Sequence, residues 1–167
     1  MREGSMRERP IVFRPEMLRA ILAGRKTETR RQRLRIQAQW LETCSFGKAG
    51  DRLWVREALS GWGDYARYAL DGAVVYQGAN PIRWEWQRAR LQAMFMPRRA
   101  ARYFLTVKYA YPKYLWDIDQ EGAQREGFGS VQEFAGYWDK LNERRYGAAW
   151  KDDPRVWVIG FELEEAK

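Results

Sequence analysis

Apolar residues fall into short clusters along the chain, separated by polar joints marked by glycine and proline. Ile11-Val12-Phe13 has the length and composition of a strand. Pro15 follows, at the position proline favours at the start of a helix. Met17, Leu18, Ile21 and Leu22 then recur on one helical face, and Gly24 supplies the stop. Residues 25–35 are polar and strongly basic. Gly50-Asp51 is turn chemistry ahead of Leu53-Trp54-Val55, a buried strand. Residues 67–70 and 73–76 flank Asp71-Gly72, the signal of a hairpin, and residues 78–90 read mostly as loop. Residues 102–109 are aromatic and β-branched, hence a strand. Residues 118–126 form a short helix, with Asp119 as its cap and Gly127 as its stop. Ser130 and Glu133 have the spacing of a capping box, and Phe134, Trp138, Leu141 and Arg145 follow on one face of a third helix. Residues 156–163 are almost wholly apolar and predict a central strand.

These elements predict an α+β fold of five to six strands with about three flanking helices. Strands and helices do not alternate regularly, which argues against a doubly wound sheet. No internal repeat or low-complexity segment interrupts the chain, so residues 6–167 read as a single domain. Gly4-Ser5-Met6 reads like the scar of an added tag, and residues 1–5 are set aside as a tag or disordered N-terminus.

Charge changes the picture next. Thirty Lys and Arg against 22 Asp and Glu leave a formal charge of +8, which favours an acidic partner, nucleic acid first. With no histidine and one cysteine, Cys44, the Ser-His-Asp and Cys-His schemes and the usual zinc sites are excluded. A disulfide within the chain is excluded as well, which fits a reducing cytoplasm. No apolar run approaches the ~18 residues of a membrane span. The expectation is a cytoplasmic monomer without membrane, metal or cofactor, binding RNA or a nucleoside.

The most informative stretch is Gly24-Arg25-Lys26-Thr27-Glu28-Thr29-Arg30-Arg31, a dense set of hydrogen-bond donors directly after a helix stop. It resembles the signature of the ASCH family of bacteria and phage. Four further blocks resemble that family in the same order. They are Gly50-Asp51-Arg52-Leu53-Trp54-Val55-Arg56-Glu57, Met96-Pro97-Arg98, Asp117-Ile118 with Ala123 and Glu126-Gly127, and Asp153-Pro154-Arg155-Val156-Trp157-Val158-Ile159. The resemblance spans residues 11–163 and implies a PUA-like small mixed β-barrel that binds RNA or modified bases. Some members resemble ribonucleases. A shorter relative is an N(4)-acetylcytidine amidohydrolase whose catalytic lysine, threonine and glutamate match Lys26, Thr29 and Glu126 here. This chain is longer between Glu57 and Pro97, where it carries Trp84-Glu85-Trp86.

What the resemblance implies is a hydrolase that needs no metal and acts on RNA or an acetylated cytidine; the alternative is a non-catalytic binding module. Thr29 would attack or orient, Lys26 would activate it, and Glu126 would protonate the leaving nitrogen. A lysine serves as base only if burial or a nearby cation lowers its pKa, and Arg30 and Arg31 stand beside it in sequence. Thr27, Arg30 and Arg31 are further substrate-binding candidates. Arg56 and Glu57, at the end of a strand, either enter the site or form a structural ion pair. Trp84 and Trp86 either stack on a base or cover the barrel. Lys26 and Thr29 would point to opposite faces of a regular strand, so a shared site requires an irregular segment after Gly24. All three catalytic candidates, with Arg31 and Arg56 at the rim, should meet at one cavity.

Overall fold

The computed structural model describes residues 5–37, 39–61, 63 and 65–165. The tag expected at residues 1–5 therefore lies outside the described residues except for Ser5. Five strands form the main sheet: β1 (Glu8–Val12), β2 (Glu28–Gln32), β3 (Arg52–Arg56), β4 (Phe104–Tyr114) and β5 (Arg155–Leu163), in the order β1-β3-β4-β5-β2. β1 runs parallel to β3; the other three pairings are antiparallel. The helices are α1 (Pro15–Leu22), α2 (Gln120–Arg125) and α3 (Val131–Asn142). The mixed α+β architecture expected from the sequence is the one observed.

Burial explains the order. Val156 to Phe161 of β5 are all buried, as a strand covered on both faces must be. On one face α1 packs Met17, Leu18 and Ile21 against Leu53, Val107 and Ile159. On the other, α2 and α3 pack Ala123, Phe134 and Trp138 against Val156 and Val158. Asp119 accepts from the Gly122 amide and Ser130 from the Glu133 amide, so both expected caps form. The Glu133 carboxylate accepts from the Gly129 amide rather than closing the box on Ser130.

Polar, basic β2 is the element that hydrophobic patterning did not reveal. Residues 25–27 are irregular, and the chain then becomes a strand by pairing with β5 from Val156–Gln32 to Gly160–Glu28. β1 and β2 are the two edges of the sheet. The Arg31 guanidinium donates to the Val12 carbonyl at 2.8 Å, so a side chain bridges the edges of a strongly curled sheet.

One cross-strand row ties the sheet to the polar interior. Gly160 on β5 lies opposite Tyr109 on β4 and Glu28 on β2. The Tyr109 ring crosses over Gly160, where an added Cβ would lie 2.1 Å from it. Its hydroxyl thereby reaches Glu28 Oε2 at 2.5 Å. A bulge between Val107 and Tyr109 sets this register. Gly160→Ala must push the ring off the row. A loss of about 1–3 kcal/mol is expected from such overpacking, read as a lower urea midpoint at unchanged slope.

Residues 58–101 build a second, smaller core. Short strands at Arg90–Leu91, Leu59–Ser60 and Arg67–Tyr68 pair in that order. They enclose Leu59, Tyr68, Val75 and Met96. The expected hairpin about Asp71-Gly72 is present as a short pairing of Arg67 with Val74.

Candidate functional site

α1 connects β1 to β2, the two edges of the sheet, and α3 packs against β5, the neighbour of β2. Between them opens a cavity of about 420 Å³, walled by Val12, Phe13, Arg14 and Met17, by residues 29–32 of β2, and by Phe134, Tyr137 and Trp138 of α3. That is the size range of a small-ligand pocket. Lys26, Thr29 and Glu126 all line it, although 100 residues separate the first from the last. Thr29, Arg30, Arg31 and Gln32 all line it too, so the cavity reaches both faces of this edge strand.

Lys26 and Glu126 are each 3% exposed, and Lys26 Nζ lies 2.5 Å from Glu126 Oε2. The same ammonium donates to the Glu28 carbonyl at 2.9 Å and the Glu126 carbonyl at 3.0 Å. All three of its N–H donors therefore have acceptors. This closure depends on local backbone. The irregular stretch at 25–27 turns Lys26 inward, and α2 ends at Arg125, leaving Glu126 as its C-cap residue. Gly127 follows in the left-handed region, φ 95°, where its hydrogen faces the Lys26 side chain.

Behind the pair lies a second carboxylate that sequence reasoning assigned no role. Glu28 is fully buried and accepts from Arg30 at 2.7 Å, Tyr109 at 2.5 Å and Arg125 at 3.1 Å. Arg30 also reaches Glu126 Oε1 at 3.4 Å. The only hint in the sequence was a glutamate amid cations. Its partners Tyr109 and Arg125 come from distant elements that no local pattern connects.

Burial sets the electrostatics. It pushes the Lys26 ammonium below the usual lysine pKa, Arg31 and Arg30 add to this, and the Glu126 carboxylate opposes it. Burial likewise lowers Arg31, again against the charge of Glu126. Burial and the hydrogen bond to Glu28 push Tyr109 up to about 12. Thr29 accepts a 3.4 Å hydrogen bond from Arg31 Nε, and the Arg31 guanidinium stacks over Phe13 at 5.1 Å and Phe46 at 5.6 Å.

Several expected site residues lie elsewhere. Thr27 is exposed and spends its backbone on Arg125 and Phe161. Arg56 does not reach the rim: strand β3 carries it toward the second core, where it stacks on Trp54 at 4.8 Å. Glu57 takes the structural alternative, as a two-pronged partner of Arg102 at 2.7 and 2.8 Å. Trp84 and Trp86 meet edge to face at 4.9 Å and pack against the second core. None of the described residues of 58–101 lines the cavity, and neither tryptophan is part of its wall. In their place α3 supplies Tyr137 and Leu141, and the turn after it Arg145, of which helical periodicity marked only the last two, as a packing face.

Among the described residues no group of three His, Cys, Asp or Glu side chains could hold a metal ion. No helix there is long and apolar enough to cross a membrane.

No family model and no curated protein matches the chain. Among solved structures, a DUF984 protein from Enterococcus faecalis is similar in fold, with TM-score 0.50 and 11% identity over 99% of this chain and 84% of that one. An ASCH protein from Zymomonas mobilis aligns with TM-score 0.44 and 14% identity, over 96% of this chain and 69% of that one. An ASCH domain from Lactobacillus crispatus aligns with TM-score 0.43 and 13% identity, over 94% and 79%. The chain thus shares its fold with the DUF984 protein, and ASCH domains stand among its structural neighbours.

Proposed function

We propose that this protein is a hydrolase acting on an amide of a nucleoside, N(4)-acetylcytidine in the first instance, at the Lys26–Glu126 pair. The observation that carries the reading is a lysine and a glutamate, both nearly fully buried, 2.5 Å apart in a cavity that Thr29 also lines. Moving one proton from Lys26 to Glu126 converts the ion pair into a neutral amine and a carboxylic acid, which are the general base and general acid that amide cleavage needs. The lowered pKa of Lys26 favours that transfer.

The steps then balance. Neutral Lys26 takes the Thr29 hydroxyl proton as its oxygen attacks the acetyl carbon. Glu126 gives its proton to the departing nitrogen, and the resting ion pair is restored. Water then cleaves the acyl ester, acetate leaves, and Thr29 regains its proton. Arg31, already donating to the Thr29 oxygen, favours that oxygen as negative charge builds on it.

One observation supports a second reading, a non-catalytic binding module. All three Lys26 N–H groups are already accepted within the protein, as in a structural ion pair. Incubating the protein with N(4)-acetylcytidine and, separately, with plain RNA decides among these. Release of acetate that Lys26→Ala abolishes supports the amidohydrolase. Cleavage of RNA moves the same residues to phosphodiester chemistry. Binding without turnover favours the module, and full activity of Lys26→Ala removes the site.

A further inference from the structure

We propose that the mouth of this cavity is a phosphate subsite, so that the ligand is a nucleotide rather than a free nucleoside. The inference rests on the nucleoside reading of the same cavity. The charge on the cavity wall carries it. Five basic side chains line the space, Arg14, Lys26, Arg30, Arg31 and Arg145, against the single carboxylate of Glu126. Lys26 and Arg30 are matched by Glu126 and Glu28. The other three have no carboxylate partner among the described residues.

Arg31 is the informative one. Its hydrogen bonds go to the Val12 carbonyl and the Thr29 hydroxyl, both neutral, and its guanidinium is sandwiched between Phe13 and Phe46. Its direct contacts are neutral and aromatic, and the carboxylate that acts on it from a distance, Glu126, is already paired with Lys26, so part of its positive field remains for whatever enters. Arg14, just before α1, and Arg145, just after α3, are exposed and both line the cavity. Their free forks suit the paired oxygens of a phosphate. The aromatic wall of Phe134, Tyr137 and Trp138 supplies apolar surface for a base. The phosphate could belong to a mononucleotide or to one link of an RNA strand, and the chemistry is the same in both.

Calorimetric titration separates these cases, with cytidine, cytidine 5′-monophosphate, inorganic phosphate and a short RNA as probes, at about 50 and 200 mM salt. The monophosphate is expected to bind at least about tenfold more tightly than the nucleoside, by one charge-assisted forked contact. That advantage should shrink at the higher salt and disappear in the double variant Arg14→Gln/Arg145→Gln. RNA binding more tightly than the monophosphate, with the same dependence on the two arginines, assigns the phosphate to a strand. Equal affinity for nucleoside and monophosphate overturns the phosphate subsite and leaves the amidohydrolase reading standing. A monophosphate preference that survives in the double variant overturns the assignment to these arginines. Binding of no probe overturns the inference. Acetylcytidine turnover is measured separately, so a failed hydrolase reading is distinguishable from a failed subsite.

Discussion

Glu28→Gln is expected to destabilise the protein by about 3–5 kcal/mol, the cost of removing one partner from a buried ion pair. The substitution keeps the shape of the side chain and takes away its charge. Arg30, whose side chain is 6% exposed, would then face only Glu126 at 3.4 Å. The Tyr109 hydroxyl and Arg125 would lose a charged acceptor in the same stroke. Urea unfolding of the variant measures the loss. The comparison that gives the number meaning is the surface network of Arg52 with Glu8 and Glu164, where distances are as short, 2.8 and 2.6 Å, but the side chains are 22–30% exposed. There Glu8→Gln should cost at most about 1 kcal/mol, because water screens the pair and solvates what is left. A Glu28→Gln loss no larger than that would show that the interior network is hydrated and does not hold β2 in the sheet.

The contrast between these two networks also explains what could be read from the sequence. Elements that bury apolar side chains announce themselves by period. α1, α3 and β5 were visible because Met17, Leu18 and Ile21, then Phe134 and Trp138, then Val156 to Phe161, repeat with the spacing of the structure that buries them. β2 carries no such signal. It is a strand because β5 offers it a ladder and because Glu28 and Arg30 satisfy each other in the interior. Charged residues in isolation read as a solvated face, and only the family resemblance drew Lys26, Thr29 and Glu126 together. The requirement that the chain be irregular after Gly24 was a physical deduction, and residues 25–27 are irregular. The tryptophans went astray for the opposite reason. An aromatic pair in a loop suits a lid or a core equally well. Which it becomes depends on Gly61, whose missing side chain leaves room for the Trp84 ring against the second core.

Lys26→Arg provides the sharpest test of the proton-transfer chemistry. Arginine keeps the positive charge and can keep the contact with Glu126, so a purely structural role would tolerate it with a modest change in unfolding midpoint. It cannot give up its proton at any working pH. If Lys26 acts as base, Lys26→Arg should lower kcat by about 10²–10⁴, the usual share of general acid–base catalysis. The pH profile of the wild type tests the same step independently. Lys26 has a lowered pKa in the folded protein, so the neutral amine becomes populated at a pH below the ordinary lysine value of 10.5. The active pair carries one proton, which Glu126 must deliver, so activity should fall as pH rises through the window where that proton is lost to solvent, and this falling limb should be absent from any residual activity of Lys26→Arg. Stability carries the opposite sign. Where the folded lysine has lost its proton and the unfolded one has not, the unfolded chain binds more protons, and stability increases with pH up to the unfolded pKa. Lys26→Arg should flatten that increase. Equal kcat and an unchanged pH profile in Lys26→Arg would exclude Lys26 as the base and leave the Lys26–Glu126 pair a structural element of a binding pocket.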